Sequence, residues 1–282
     1  MTVDKPVLMT GSVMMNRELA AGIFLISLRL PVAFPAPDAG QFVMIKVGEG
    51  RDPLLRRPFS IHAFRREADC AVLEILYRVV GRGTRLLAAL GGEAALGVMG
   101  PLGRGFTLIP ERKNIIVVAG GIGIAPLSFL IQQYRDLIRD DADSGGLFRR
   151  VICYFGTATA DLLVGLEKIE ACCEDIRVAT DDGSCGFRGN VLSLFSRDLA
   201  FYNPADAVVY SCGPLIMLKG LAKMLHEKDF FCQMSMEERM ACGLGACLGC
   251  AVAGRKPDGQ KAYQRVCKDG PVFNLQEVDW HA

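Results

Sequence analysis

Four cysteines near the end of the chain have the types and spacing of ligands for an iron–sulfur cluster. Cys242, Cys247 and Cys250 are separated by four and by two residues, and Cys267 follows after a gap of sixteen. This spacing is typical of plant-type [2Fe–2S] sites, in which four thiolates converge on two irons. Three glycines between the ligands would let the backbone wrap closely around such a group. Two other interpretations stay open. One is a structural zinc site, because the pair Cys247-x-x-Cys250 alone would fit zinc, and the other is a set of disulfide pairs.

Two arginine-bearing motifs in the first half of the chain suit a phosphate-containing cofactor. Arg57 begins the sequence Arg-Pro-Phe-Ser. An arginine held by a strand suits a pyrophosphate oxygen, and the Ser60 hydroxyl can donate to a flavin ring nitrogen. Arg78 ends the sequence Leu-Tyr-Arg, and Gly83-Thr84 then opens a helix whose free N–H groups attract anions. The alternatives are a surface arginine at a turn and an ordinary N-cap threonine, but the two motifs together fit a bound dinucleotide better than either alone.

A second pair of motifs predicts a nicotinamide site. A glycine-rich turn at 120–123 follows a strand and precedes a helix, which is the context that a phosphate-binding loop requires. A Cys-Gly-Pro motif ends the strand at 208–211, and ligands of open parallel sheets bind beyond the carboxyl ends of the strands. Both motifs are therefore expected to face one crevice, with the cysteine lining it; a tight turn and a buried inert cysteine are the alternatives. The residues concerned are Gly120, Gly121, Gly123, Cys212, Gly213 and Pro214.

The expected nicotinamide cofactor is NAD rather than NADP. The strand that ends at Phe155 is followed by Gly-Thr-Ala-Thr-Ala-Asp, which contains no arginine or lysine to meet a 2′-phosphate. A phosphate without a cationic partner gains no charge-assisted hydrogen bonds at this position.

The elements that must position these motifs fall into three consecutive parts. Residues 1–110 contain short apolar runs separated by proline and glycine turns, which predicts an antiparallel β-barrel domain around the arginine-bearing motifs. Residues 111–228 alternate strand-length apolar runs with helical segments, which predicts a parallel α/β domain. Residues 229–282 form the cysteine module. The individual elements include a strand over Phe59–Ala63 and a helix over Leu162–Cys172.

Composition and charge exclude several other classes of protein. Of 282 residues, 51% are hydrophobic and 22% charged, which is a globular composition. The net charge of +1 argues against a nucleic-acid partner. The uncharged run Asn114 to Tyr134 is long enough for a bilayer, but its central glycines and proline predict strand, turn and helix, so we expect no membrane span. The sequence shows no signal peptide, and eleven cysteines then favour a reducing cytoplasm.

Taken in this order, the motifs resemble those of the ferredoxin–NADP reductase superfamily, and within it the electron-transfer subunits of type B dihydroorotate dehydrogenases. The resemblance is most specific at the two C-terminal motifs, Ser235–Cys242 and Val266–Phe273. It implies FAD on the first-half motifs, a [2Fe–2S] cluster on the four cysteines and NAD on the glycine turn and the Cys-Gly-Pro motif, with Ser60 and Cys212 at the reacting centre. The implied flavin contacts are Arg57, Pro58, Phe59, Ser60, Leu76, Tyr77, Arg78, Gly83 and Thr84, and the implied cluster ligands are Cys242, Cys247, Cys250 and Cys267.

The resemblance also implies a function and a partner. An FMN-containing catalytic subunit would oxidise dihydroorotate, and this chain would pass the electrons through the cluster and FAD to NAD+ in pyrimidine biosynthesis. We expect two copies of each chain, because most oligomers close by two-fold symmetry. Two alternatives stay open: an NAD(P)H–ferredoxin electron-transfer subunit of another flavoprotein complex, and a zinc-bearing binding module without redox function.

Overall fold

Seven antiparallel strands build the first half of the molecule. The computed structural model describes residues 6–48, 50, 52–142, 149–256 and 259–280. In β2 the buried Leu28 and Leu30 flank the exposed Arg29, because successive side chains of a strand point to opposite faces. The strands are β1 (Val7–Ala20), β2 (Ile23–Pro31), β3 (Phe42–Lys46), β4 (Arg57–Ser60), β5 (Ala63–Arg66), β6 (Cys70–Arg78) and β7 (Ala95–Leu102), with helix α1 (Arg82–Ala88) between the last two. They pair in the order β4-β3-β7-β1-β2-β6-β5.

The link between β4 and β5 curls this sheet toward a barrel. The Ile61 N–H donates to the Gln41 carbonyl over 3.1 Å, and the His62 N–H donates to the Glu74 carbonyl over 2.9 Å. The link therefore crosses from one edge of the sheet to the other, and both of its side chains are buried. The prediction of one strand over Phe59–Ala63 is wrong, because the chain changes strand neighbours at this link and two separate strands result.

A mainly parallel sheet builds the second half. Its strands are β8 (Asn114–Gly120), β9 (Arg150–Thr157), β10 (Asp175–Thr180), β11 (Phe187–Arg188), β12 (Ala207–Cys212) and β13 (Phe231–Ser235). A hairpin of β14 (Ala251–Arg255) and β15 (Lys261–Arg265) stands apart from this sheet, and β16 (Val272–Asn274) then returns to it and pairs antiparallel with β13. The order is β11-β10-β9-β8-β12-β13-β16, so the sheet holds residues from both sides of the boundary expected at 228. The division of the chain into three domains stays a prediction.

Four helices cover this sheet on both faces. Alternate residues of β8 enter different cores: Ile115 and Val117 pack in the core shared with α2 and the first half, and Ile116 and Val118 pack in the core that holds α4 and α5. This division is why β8 reads as a continuous apolar run. The helices are α2 (Ile124–Ala142), α3 (Leu166–Glu170), α4 (Val191–Asp198) and α5 (Leu215–Leu225). Within the described residues, no helix is long and apolar enough to cross a membrane.

The helix predicted over Leu162–Cys172 is much shorter in the structure. Only the five residues of α3 are α-helical, after a separate single turn of 3₁₀ helix at 160–162. Gly165 precedes α3 with a φ of +79°, in the left-handed region that interrupts a right-handed helix. The apolar periodicity of this segment continues through the glycine, which is why the pattern alone suggested one helix.

Buried contacts join the two halves. The larger of the two hydrophobic cores contains side chains from the first sheet, from β8 and from α2. At the same boundary, His62 Nδ1 lies 3.1 Å from the carbonyl oxygen of Ala125 at the start of α2. The Lys168 ammonium of α3 also pairs with the Glu74 carboxylate of β6. These contacts fix the start of α2 against the barrel-like sheet.

Candidate functional site

A cleft of about 720 Å³ opens between the first sheet, the start of α1 and the segment that follows β13. This size is in the range of small-molecule and cofactor sites. All nine residues that the sequence assigns to the flavin line it, although they come from three separate elements. They are Arg57, Pro58, Phe59 and Ser60 on β4, Leu76, Tyr77 and Arg78 on β6, and Gly83 and Thr84 on α1.

Close packing at the start of α1 positions Arg57. A side chain at Gly83 would put its Cβ 2.8 Å from Arg57 Nε, so a larger residue there would push the guanidinium away from the helix. The Arg57 Nη1 donates to the Leu55 carbonyl over 2.5 Å. The Thr84 hydroxyl accepts from the Gly81 N–H and donates back to the Gly81 carbonyl, both over 3.0 Å. Its one donor is thus used within its own turn.

Aromatic rings form the floor of this cleft. Tyr77 stacks on Phe24 and meets Phe59 edge to face, each at 5.7 Å between ring centroids. The Tyr77 hydroxyl donates to Asn16 Oδ1 over 3.1 Å, and burial raises the pKa of Tyr77 to about 12. Ser60 lies at the end of β4, half-buried at the cleft wall. The floor is therefore closely packed and apolar, with the Ser60 hydroxyl beside it as a donor for a ligand.

A second cleft, of about 560 Å³, opens at the carboxyl ends of the parallel strands. Gly120, Gly121 and Pro214 line it, as the sequence predicts. Two residues, Arg78 and Ile122, line both clefts, so the two spaces adjoin. The structure therefore places the glycine turn and the Cys-Gly-Pro motif together, beside the first cleft.

The other predicted nicotinamide residues lie beneath this surface. A side chain at Gly123 would collide with the Cys212 carbonyl oxygen, and one at Gly213 would put its Cβ 2.5 Å from Met217 Cε. These glycines allow the ends of β8 and β12 to approach each other. Cys212 is 1% exposed and lines neither cleft, which corrects the expectation that it faces the crevice. Burial raises the pKa of its thiol, so it is a neutral packing group here.

The four predicted ligand cysteines converge as two pairs. The Cys242 sulfur interacts with that of Cys247, and the Cys267 sulfur with that of Cys250. The backbone N–H of Leu244 donates to the Cys242 sulfur over 3.4 Å and is the main reason that the pKa of this thiol falls to about 6. Burial raises the pKa of Cys267 to about 12. Two pairs of sulfurs match two irons with two thiolates each.

The cysteine loop packs directly on the barrel-like sheet. Gly243 has a φ of +72°, and a Cβ there would lie 2.7 Å from Met44 Cγ on β3. Met240, two residues before the first ligand, lines the first cleft. The loop and the cleft are therefore neighbours, connected by one short segment of backbone.

Comparison with known proteins places the chain among close relatives. It is 41% identical over 253 residues to the dihydroorotate dehydrogenase B (NAD(+)) electron transfer subunit of Desulforamulus reducens, with 88% of this chain and 91% of the relative covered. The same subunit of Caldanaerobacter subterraneus subsp. tengcongensis is 36% identical, with 96% and 98% covered. The chain belongs to this family. The predicted family is thereby confirmed.

Two further likenesses agree with membership of the dihydroorotate dehydrogenase B electron transfer subunits. A family model described as the iron-sulfur cluster binding domain of dihydroorotate dehydrogenase B matches residues 237–279. The solved structure of an NADH-dependent reduced ferredoxin–NADP oxidoreductase superimposes with a TM-score of 0.76 at 25% identity, with 96% of this chain and 90% of that chain covered. The predicted fold class, a barrel-like antiparallel sheet followed by a parallel α/β layer and a cluster module, is confirmed.

Within this family fold, the four cysteines fit a [2Fe–2S] cluster better than the alternatives. A tetrahedral zinc ion with Zn–S bonds of ~2.3 Å needs all four sulfurs within about 4 Å of one another. In the described structure, no three of these sulfurs lie within 4.8 Å of one another. All four are free thiols rather than disulfides. Separated pairs are the arrangement that a two-iron cluster needs.

The segment that connects β13 to the cysteine loop was missed as part of the flavin site. Met236, Glu237, Glu238, Arg239 and Met240 all line the first cleft. Glu237 is exposed where it lines the cleft, and partial desolvation there raises the pKa of its carboxyl. These residues lie inside the Ser235–Cys242 motif, so the signal was present, but no role could be read from it without the position of β13.

Two polar residues of the second cleft were also missed. Asp181 directly follows β10, and Asn190 caps α4 by accepting from the Ser193 N–H over 2.9 Å. Of the described residues that line this cleft, Arg78 is the one with a cationic side chain, and it also lines the first cleft. A carboxylate at the end of a neighbouring parallel strand is a residue type that binds a ribose hydroxyl. Asp181 lies at the second cleft because of the order of the strands in the sheet, and this order is not evident from the linear sequence.

Proposed function

We propose that this chain is the electron-transfer subunit of a dihydroorotate dehydrogenase complex and links an FMN-bearing catalytic subunit to NAD+. In this proposal FAD occupies the first cleft, NAD+ the second, and a [2Fe–2S] cluster the cysteine loop. The single observation that carries it is the convergence of all nine predicted flavin residues on one cleft that adjoins both other sites.

The residues of the first cleft have separate tasks. The Arg57 guanidinium, held over the start of α1, pairs with the pyrophosphate, because arginine offers several donors to phosphate oxygens. Phe59 and Tyr77 exclude water from one face of the bound ring system. The Ser60 hydroxyl, at the wall of this cleft, would donate to a ring nitrogen of the flavin. When bound, FAD supplies two-electron exchange with NAD+ and one-electron exchange with the cluster.

The second cleft binds the nucleotide through backbone and a carboxylate. The glycine turn at Gly120 and Gly121 lets a pyrophosphate approach the start of α2. Asp181 accepts from a ribose hydroxyl and repels a 2′-phosphate, so NAD is preferred over NADP. Cys212 supports the turn from beneath, where it packs against Gly123, and its predicted catalytic role has no support from its burial.

The cysteine loop is the entry for electrons from the partner. Cys247 is exposed, and Leu244 and Leu248 beside it are 50% and 63% exposed. Exposed apolar side chains around a redox centre suit a protein interface. We propose two copies of each chain in the complex, because most oligomers close by two-fold symmetry. We also propose that the complex is cytoplasmic, because thiols stay reduced in that compartment.

Reconstitution tests the function. Purified alone, the chain should leave dihydroorotate and NAD+ unreacted, and addition of the FMN-bearing subunit should yield orotate and NADH together. Cys247→Ala should fail to couple the two reactions, whereas Cys185→Ser, which replaces an exposed cysteine outside the loop, should couple them normally. Dihydroorotate-dependent NADH formation by the isolated chain, or the lack of any complex with the FMN-bearing subunit in gel filtration, would reject the proposal in favour of a ferredoxin-linked subunit.

A further inference from the structure

The cluster ligands lie on two segments of chain that something must hold together. Cys242, Cys247 and Cys250 belong to one loop, and Cys267 follows the β14–β15 hairpin. The hairpin connects the two segments, and its last residue, Arg265, is the one that reaches the Gly243–Ala246 part of the loop. A cluster bound between two such segments is lost if the loop swings away from the fourth ligand.

One side chain spans the gap between the segments. Arg265 Nε donates to Asp269 Oδ2 over 3.0 Å, and its Nη2 donates to Asp269 Oδ1 over 3.0 Å. This two-point fork fixes the plane of the guanidinium. The remaining Nη1 donates to the Gly245 carbonyl over 3.2 Å. Arg265 therefore connects the turn that carries Cys267 to the middle of the loop that carries the other ligands.

The same turn of the loop reaches a ligand sulfur. The Gly245 N–H donates to the Cys267 sulfur over 3.1 Å. Gly245 has a φ of +80°, and a Cβ there would lie 2.7 Å from Lys268 Cδ, so the loop sits tightly on the 265–269 turn. Arg265 donates to the carbonyl of Gly245, and the N–H of Gly245 donates to the Cys267 sulfur. The two hydrogen bonds therefore connect Arg265 to this ligand through one residue of the loop.

The guanidinium also places a positive charge on one side of the ligand set. Its Nη1 bonds to the carbonyl of Gly245, and the N–H of the same residue bonds to the Cys267 sulfur, so the guanidinium lies one residue away from a ligand. A fixed cation close to a cluster stabilises the added negative charge of the reduced state, and charge and hydrogen bonding near the sulfurs are among the features that set cluster potentials.

We propose that Arg265 is a positioning residue for the cluster: it clips the Gly245 turn over Cys267, and its charge raises the reduction potential. This inference rests on the proposed [2Fe–2S] cluster. The fork to Asp269 performs the mechanical part, and the charge of the guanidinium performs the electrostatic part. Lysine at this position would keep the charge and lose the fork.

The test compares variants of the full chain carrying its cofactors, prepared anaerobically. Arg265→Met should shift the midpoint potential of the cluster to more negative values, in a redox titration followed by EPR, and should speed iron loss to a chelator. Arg265→Lys should keep a potential closer to that of the wild type but lose iron faster than it. Asp269→Asn should shift the potential to more positive values, because it removes a negative charge and leaves the cation unpaired.

The opposite shifts of the midpoint potential expected for Arg265→Met and Asp269→Asn separate this role from a merely structural one. Arg255→Met is the matched control, because it removes a positive charge on the hairpin that pairs with Asp279 at 3.7 Å and makes no bond to the loop; it should match the wild type in both measurements. Equal potentials in all variants, or shifts of the same sign in Arg265→Met and Asp269→Asn, would overturn the inference. If Arg265→Met takes up no cluster, the test depends on Arg265→Lys. A rate of iron loss to the chelator equal to that of the wild type would then overturn the inference. A wild-type protein without iron and acid-labile sulfide would overturn the proposed cluster itself.

Discussion

Protonation of one buried histidine should couple the stability of this protein to pH. His62 is 1% exposed and lies where the barrel-like sheet meets the start of α2. Its Nδ1 must carry the proton in the folded state, because its neighbour at 3.1 Å, the Ala125 carbonyl oxygen, can only accept. Burial, and next the charge of Lys168, lower the pKa of His62 from 6.5 to about 4, against smaller opposing effects of the Ala125 hydrogen bond and Glu74.

The sign and size of the effect follow from this pKa. Between pH 6.5 and about 4 the unfolded chain binds a proton at His62 that the folded chain does not, so the free energy of unfolding falls as the pH falls through this window. The stabilisation is fully present above pH 6.5. At about 1.4 kcal/mol per pH unit the total loss is about 3 kcal/mol near pH 4, of which about 2 kcal/mol is lost by pH 5.

The assay is urea unfolding followed by far-UV circular dichroism at pH 7, 6 and 5, with FAD at the same excess throughout. His62→Asn keeps a donor for the Ala125 carbonyl but cannot titrate, so it should lose about 2 kcal/mol less than the wild type between pH 7 and 5. His226→Asn, which replaces an exposed histidine, should lose as much as the wild type. Equal losses in His62→Asn and the wild type would refute the reasoning.

Three further predictions concern the three sites. Cys247→Ala should remove iron and acid-labile sulfide while FAD absorbance remains, because the flavin residues lie on other elements; loss of both together would contradict this. The wild type should show a higher kcat/KM for NADH than for NADPH with an artificial dye, and Asp181→Asn should narrow that ratio about tenfold, or about 1.4 kcal/mol; an unchanged ratio would remove Asp181 from the site. Gly123→Ala, whose Cβ meets the Cys212 carbonyl, should raise the KM for NADH and destabilise the fold by roughly 1–3 kcal/mol with FAD content unchanged. Normal NADH kinetics would show that the turn tolerates a side chain.

The flavin cleft was predictable because local patterns position its residues. Arg57 and Ser60 lie on one short strand, and Tyr77 lies on a strand that is an almost continuous apolar run. Once both runs are strands of one barrel-like sheet, their ends meet at the start of α1. The cysteine spacing was predictable for a related reason, since four thiolates on two irons leave few possible spacings.

The parts that escaped prediction depend on contacts between distant segments. Glu237 and Met240 reach the flavin cleft because β13 pairs with β12, which no local pattern states. Arg265 reaches Gly245 across a hairpin, twenty residues away along the chain. Cys212 looked like a crevice residue because it ends a strand, but the close approach that Gly123 permits buries it.

The order of the sites along the molecule constrains how electrons enter and leave. The second cleft adjoins the first through Arg78 and Ile122, and the first adjoins the cysteine loop through Met240. No nucleotide-cleft residue belongs to the cysteine loop, and the exposed ligand Cys247 lines neither cleft. A partner docked at Cys247 would therefore contact a loop that contributes no residue to the second cleft, so NAD+ could exchange there while the complex stays assembled. A subunit that must deliver electrons repeatedly to a diffusing nucleotide needs this separation, because a partner covering the nucleotide cleft would have to dissociate in every cycle.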